Sequence, residues 1–201
     1  MPAHLRTFCT SIFVLSAIFV FAAEAHAQGT KAQAQSGIPR FEGGVIFTAL
    51  RLPDPIGEGA AGVGARFGHN VNKYFGLDVE VNHFPGGTRQ APDFGETEGL
   101  FGIKTGYGNR YAGIFFKARP GFIHFAKNSA TVGRGLSENY FVLDIGGVAE
   151  RYWGNHTYFR FDFGDTIIAY GNTRYLGTFG NTVVLGTVHN PQISFGVGIH
   201  F

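Results

Sequence analysis

A two-residue rhythm constrains this chain more than any other feature. Eight runs alternate apolar with small or polar residues, near positions 41–52, 59–69, 74–84, 97–107, 111–125, 140–152, 157–169 and 191–201. Successive side chains of a strand point to opposite faces, so this period predicts eight β-strands. No stretch carries a convincing 3.6-residue period, and no long helix is expected. The last run, ISFGVGIHF, is the sharpest: Ile193, Phe195, Val197, Ile199 and Phe201 alternate with Ser194, Gly196, Gly198 and His200. Chain ends are usually where order is weakest, so a two-faced strand at this end needs a reason.

The connections alternate in length. NVNKY, GNR and GNH, after runs 2, 4 and 6, are tight Asn/Gly turns of the hairpin kind. The intervening connections are longer, and the longest spans Gly171 to Asn190. The phrases NKYFGLDVE, NRYAGIFFK and NHTYFRFDF begin at the tight turns and repeat one hairpin pattern. Together these predict an up-and-down antiparallel meander, with short turns at one end and long loops at the other.

Alternation does not say which face meets water, because a soluble sandwich and a membrane barrel read alike with opposite meanings. The polar-side residues decide. Opposite Ala61, Val63, Ala65 and Phe67 stand Gly62, Gly64, Arg66 and Gly68; opposite Phe159, Phe161 and Phe163 stand Arg160, Asp162 and Gly164. Gly weakens strands, yet it makes up 31 of 201 residues, about twice the usual ~7%. With no G-X-Y period and 15% aromatics, collagen and disorder are poor readings. Gly mixed with balanced charges suits the crowded interior of a small closed barrel. The predicted interior network is Arg66, Lys104, Lys117, Arg119 and Arg160 against Asp78, Glu80, Asp144, Glu150 and Asp162. An eight-stranded barrel is just wide enough for side chains to fill it. A salt-bridged plug is therefore expected rather than a narrow, porin-like pore.

Aromatics flank the tight turns: Tyr74, Phe75, Tyr107, Tyr111, Tyr152, Trp153, Tyr158 and Phe159. Rings gathered at one end of the strands predict a girdle at a bilayer interface. In lipid every backbone polar group must be paired, so the sheet must close. The fold class expected is all-β: an eight-stranded antiparallel up-and-down transmembrane β-barrel.

The N-terminus predicts export. Arg6 precedes a short apolar run, SIFVLSAIFVFAA, and small residues Ala25 and Ala27 follow. This is the pattern of a cleaved secretory signal peptide over 1–27, too short to span a bilayer as a helix. A flexible periplasmic lead, 28–40, and a barrel, 41–201, are expected after it. The single cysteine, Cys9, falls in the signal. A net charge of +2 with dispersed basic residues gives no reason to expect nucleic acid.

These strands, the turn/loop asymmetry and the closing ISFGVGIHF resemble the small Gram-negative outer-membrane β-barrel proteins of the OmpA/OmpX-like eight-stranded kind. KARPGFIHF and FRFDFGDTIIAYG look similar to phrases in uncharacterised members of that class. The resemblance implies a cell outer-membrane location, with lipid bilayer and lipopolysaccharide as surroundings. It also implies that Phe195, Val197, Ile199 and Phe201 form a signal read by the barrel-assembly machinery. It carries a fold and a place, and no activity. A structural or surface-interaction role with a plugged lumen is expected, the long loops providing any contact with partners.

Two residues break the alternation. Asp165 would face lipid, so Gly164 is expected to form a bulge turning it inward, or Asp165 to lie above the apolar band. Pro120-Gly121 predicts a bulge or strand end, since Pro cannot donate to a ladder. Catalysis has little support: His83, His124 and His189, with Ser129, Ser137 and Asp93, show no spacing that ties them into a triad. No metal motif or cofactor motif is present, and GVGARFG follows no strand–helix pattern. Asn155-His156-Thr157 matches a glycosylation sequon but reads better as a turn. A narrow passive pore for small solutes is the main alternative, and a lipid-modifying outer-membrane enzyme and a soluble lipocalin-like binder come after it.

Overall fold

A computed structural model describes residues 38–52, 59–85, 95–125, 138–176 and 182–201. The predicted signal peptide lies outside these residues, as do all but Ile38–Arg40 of the lead. Eight strands follow one another: β1 (Phe41–Arg51), β2 (Gly59–Asn70), β3 (Phe75–Phe84), β4 (Glu96–Gly108), β5 (Ala112–Phe125), β6 (Glu138–Trp153), β7 (Thr157–Leu176) and β8 (Thr182–His200). Each pairs antiparallel with the next, and β1 pairs with β8 from Glu42↔His200 to Leu50↔Gln192, closing the barrel. Phe41 and Phe201 exchange backbone hydrogen bonds of 2.8 and 2.9 Å, so these two residues seal the seam.

The short-turn end is built by a repeated device. Asn72 Oδ1 accepts from the backbone N–H groups of Tyr74 and Phe75, and Asn109 Oδ1 accepts from those of Tyr111 and Ala112. Such Asn side chains mimic a backbone turn, which is why NKY and NRY recur at equivalent places. The third turn instead uses Gly154 with φ 63°, a conformation that a Cβ disfavours.

The outer wall is apolar where the alternation requires it. Val63, Phe67, Leu77, Val79, Val81, Phe101, Phe161, Phe163, Ile193, Phe195 and Val197 are all exposed. Inside, glycine permits the tight curl. A Cβ on Gly44 would come 2.9 Å from both Gly198 Cα and the Tyr158 hydroxyl. Gly146 and Gly164 face each other across β6 and β7 for the same reason. On the outer wall, the Phe122 ring covers Gly99, supplying the cross-strand packing that glycine lacks.

Three local expectations need correction. The β7–β8 register runs through Gly164↔Gln192 and Asp165↔Pro191 without a break, so there is no bulge at Gly164; the irregularity falls between Ala169 and Thr173, where Gly171 has φ 62°. Asp165 faces outward, paired with His189. It stands eight residues above Thr157, about 20 Å along the barrel axis at ~3.3 Å per residue and ~40° tilt, toward the long-loop end. His189 supplies its partner on the outer face, so no inward turn is required. Pro120 neither ends β5 nor shifts it: Leu100↔Gly121 and Ile103↔Ala118 keep one register, and Pro120 stays opposite Leu143. The proline interrupts the β4–β5 ladder locally and leaves the strand intact.

The third correction concerns the longest predicted loop. Most of 171–190 is strand: β7 and β8 continue beyond the rim as a hairpin. The β6 ladder ends at Phe141↔Ala169 and the β1 ladder at Leu50↔Gln192, so above them the hairpin strands pair only with each other.

Candidate functional site

The lumen is organised in layers, and strand parity assigns each side chain to one. All ten predicted interior charges are buried inside the barrel, and the structure brings them together in one connected network. Arg66 Nη2 donates to Asp78 at 2.6 Å and Glu42 at 3.0 Å. Arg160 spans Asp78 and Glu150, both at 2.8 Å, and also holds Asp162. Arg119 bridges Glu80 at 2.6 Å and Asp144 at 2.7 Å. Lys104 meets Glu150 at 2.6 Å and Lys117 meets Asp144 at 2.9 Å. Each cation touches at least two carboxylates. The desolvation cost of burying ions is offset only by close geometry and further hydrogen bonds.

Glu42 is a member that sequence reasoning missed. It receives Lys104, Arg66, Asn70 and the Tyr152 hydroxyl. Its run, FEGGVIF, has apolar residues on both faces, so alternation there gave no clear inside. The only available signal was parity with Gly44 and Thr48.

Tyr152 and Tyr158 are the second correction to the predicted sites. Both were expected in the lipid-facing girdle, and both point inward, 5% and 2% exposed. Tyr152 donates to Glu42 at 2.7 Å, while the Tyr158 hydroxyl accepts from Arg66 Nη1 at 3.1 Å. Position near a turn suggested the girdle, but even-numbered residues of β6 and β7 face the lumen. Tyr74, Tyr107, Tyr111 and Trp153 do stand exposed on the outer wall at the turn end. Lys73 lies over the Tyr74 ring at 4.9 Å and Arg110 over Tyr111 at 4.6 Å, an arrangement suited to a headgroup boundary.

Above the charges comes a polar layer, in which Thr48 and Ser194 hydroxyls meet at 3.0 Å and Thr166 bonds Gln192. Above that, Leu50, Leu52, Phe84, Leu100, Ile123, Val142, Ile168 and Tyr170 form a buried apolar cluster. This cap was not anticipated. Leu50, Phe84, Leu100, Ile123, Val142 and Ile168 lie on the inner face, where polar residues stand lower down, so one face changes character along its length. Below the network, Ile38 is buried, and a Cβ on Gly108 of β4 would sit 3.2 Å from it. Asn70 Nδ2 donates to Pro39 O at 2.8 Å. The segment before β1 thus reaches across the turn-end mouth toward β4.

On β8, Phe195, Val197 and Ile199 face outward, and Phe201 stacks on Phe41 with centroids 5.8 Å apart. The histidines considered for catalysis have separate partners: His83 with Thr97 at 3.2 Å, His124 with Asn139 at 2.8 Å and His189 with Asp165. Ser129, Ser137 and Asp93 lie outside the described residues. Among the described residues no three His, Cys, Asp or Glu side chains converge as metal ligands.

This architecture, a closed eight-stranded antiparallel up-and-down barrel with an apolar wall and a filled lumen, is that of the small outer-membrane β-barrels. Among solved structures, Neisserial surface protein A is similar with TM-score 0.51 and 12% identity, over 80% of this chain and 96% of that one. Ail, the attachment invasion locus protein of Yersinia pestis, aligns at TM-score 0.46 with 14% identity, over 83% of this chain and 100% of that one. Ail in complex with the heparin analogue sucrose octasulfate aligns at TM-score 0.42 with 13% identity and the same coverage. No protein-family model and no curated protein matches the chain.

Proposed function

We propose that this chain is a non-enzymatic integral protein of the cell outer membrane, with a plugged lumen and a structural or surface-interaction role. The observation that carries the reading is the filled interior beneath an apolar cap, inside a wall whose exposed face is Phe, Val, Ile and Leu. The ion-pair network beneath an apolar cap favours a plug over a passive pore. The wall is the surface that lipid and lipopolysaccharide would cover. The β7–β8 hairpin, standing beyond the rim with ladder groups unshared by β1 or β6, is the best-placed element to meet an external partner. A cleaved signal peptide over 1–27 and recognition of Phe195, Val197, Ile199 and Phe201 by the barrel-assembly machinery complete the reading.

Cell fractionation with a heat-dependent gel shift tests it. The protein should enter the outer-membrane fraction, need detergent for extraction and migrate faster unheated than boiled. A protein soluble without detergent would refute the membrane reading in favour of the lipocalin-like one.

A further inference from the structure

A polar belt runs round the outer face where the apolar wall ends. His83, Thr97, His124 and Asn139 are successive ladder partners across β3, β4, β5 and β6. Thr97 Oγ1 meets His83 Nδ1 at 3.2 Å, and Asn139 Oδ1 meets His124 Nδ1 at 2.8 Å. The same face carries Asp165 of β7 paired with His189 of β8. Arg51, exposed at the end of β1, adjoins them: Leu50 pairs with Gln192, whose neighbour Pro191 pairs with Asp165.

The strands set the level of this belt. Arg51 stands ten residues from Phe41, His83 eight from Phe75, Thr97 ten from Tyr107 and His189 ten from Ile199. At ~3.3 Å per residue and ~40° tilt these spans are about 20–25 Å along the axis, the height of an outer-membrane barrel's apolar band. Between the two levels the wall shows Val79, Val81, Phe101, Phe116, Phe161 and Phe163.

The two ends differ in chemistry. Lys73, Arg110 and Arg151 at the turn end carry permanent charge, whereas the belt has one arginine, one carboxylate and three imidazoles. Histidine changes charge between about pH 5 and 8, so the belt passes from near neutral to about +3 on acidification. Among the described residues, the charged groups facing the imidazoles are Asp165 and Arg51, beside His189. His83 lies between Val63 and Thr97, and His124 between Thr97 and Asn139; Glu96 and Glu98, the neighbours of Thr97, are buried on the inner face. An oxygen of Asn139 or Asp165 holds Nδ1 of His124 and His189, so protonation adds an N–H donor at Nε2. A phosphate oxygen accepts such a donor, and its charge complements the protonated belt.

We propose that the belt grips the phosphate of anionic lipid headgroups in a proton-dependent way, weakly at about pH 8 and strongly at about pH 5.5. The inference rests on the membrane reading above. The occupant is a lipid phosphate because the belt borders a wall that acyl chains would cover.

The test is electron spin resonance of the gel-shift-competent protein in phosphatidylcholine vesicles, with spin-labelled phosphatidylglycerol or phosphatidylcholine as probe. Phosphatidylglycerol keeps its charge over this range, so a pH effect belongs to the protein. The motionally restricted fraction gives the selectivity for the anionic lipid. That selectivity should rise about threefold between about pH 8 and about pH 5.5, the order expected for basic charge gained at a membrane surface. It should stay flat in the H83Q/H124Q/H189Q triple variant, while Arg51→Gln should lower it at both pH values and leave the rise. The exchanged rings lie on the outer face, so the triple variant should keep the gel shift; if it does not, H83Q/H189Q is read instead and must at least halve the rise. A folded barrel that restricts lipid without the rise overturns the inference and leaves the membrane reading standing. So does a triple variant that keeps the rise, which would then belong to His69, His156 or His200 at the turn end. A protein that restricts no lipid overturns both.

Discussion

At the scale of single residues, neighbours inside the lumen set the energetics. Arg160 reaches Asp78, Glu150 and Asp162 at once. Arg160→Ala leaves those three to the remaining cations and should cost about 3–5 kcal/mol, the range for breaking a buried ion pair; urea unfolding of the refolded protein in lipid measures it. Gly146→Val tests the backbone rather than the charges. A Cβ there would press on the backbone at Phe163 and Gly164, so refolding yield should fall sharply, while valine at the outward Ala149 should be tolerated. The interior charges were legible from sequence because they alternate with Phe, Val and Leu of one sign of exposure. Glu42, Glu96 and Glu98 were less so. Glu42 lies in a run apolar on both faces, and the other two stand where the inner face turns apolar. Tyr152 and Tyr158 show the limit of arguing from proximity to a turn: a single step in parity separates a lipid-facing ring from a lumen hydrogen bond.

At the scale of elements, β8 does two things. Its outward Phe195, Val197 and Ile199 continue the apolar wall, and its end closes the seam through Phe41 and Phe201. Phe201→Ala should lower the amount of folded protein in the outer membrane, measured by the gel-shifted fraction. Normal assembly would leave the terminal ring without the role assigned to it. Excision of residues 172–186 removes most of the hairpin above the rim and touches neither the β1 nor the β6 ladder. The shortened protein should fold and shift on gels as the native one does, while losing any partner captured through the hairpin. Strand number and order could be read from the spacing of turn signals. The extension of β7 and β8 could not, because GNTRYLGTFGNTVVLGTVHN mixes Gly and Asn with apolar residues in no strict alternation. An interior proline also misled: Pro120 sits where only one of its two ladders is interrupted.

At the scale of the whole molecule, closure, filling and wall chemistry belong together. Closure leaves no unpaired edge within the apolar band, as lipid requires. The curl that closure demands places glycine on the inner face, and the space left is taken by five cations, their carboxylates and an apolar cap. On the proposed reading such an interior leaves no continuous water path, and that is the central claim about what the molecule does in a membrane. Single-channel recording of the purified, gel-shift-competent protein in a planar bilayer tests it most directly. The account predicts a silent bilayer for the native barrel at neutral pH. Discrete, reproducible conductance steps from folded protein would contradict it and place the chain among pores.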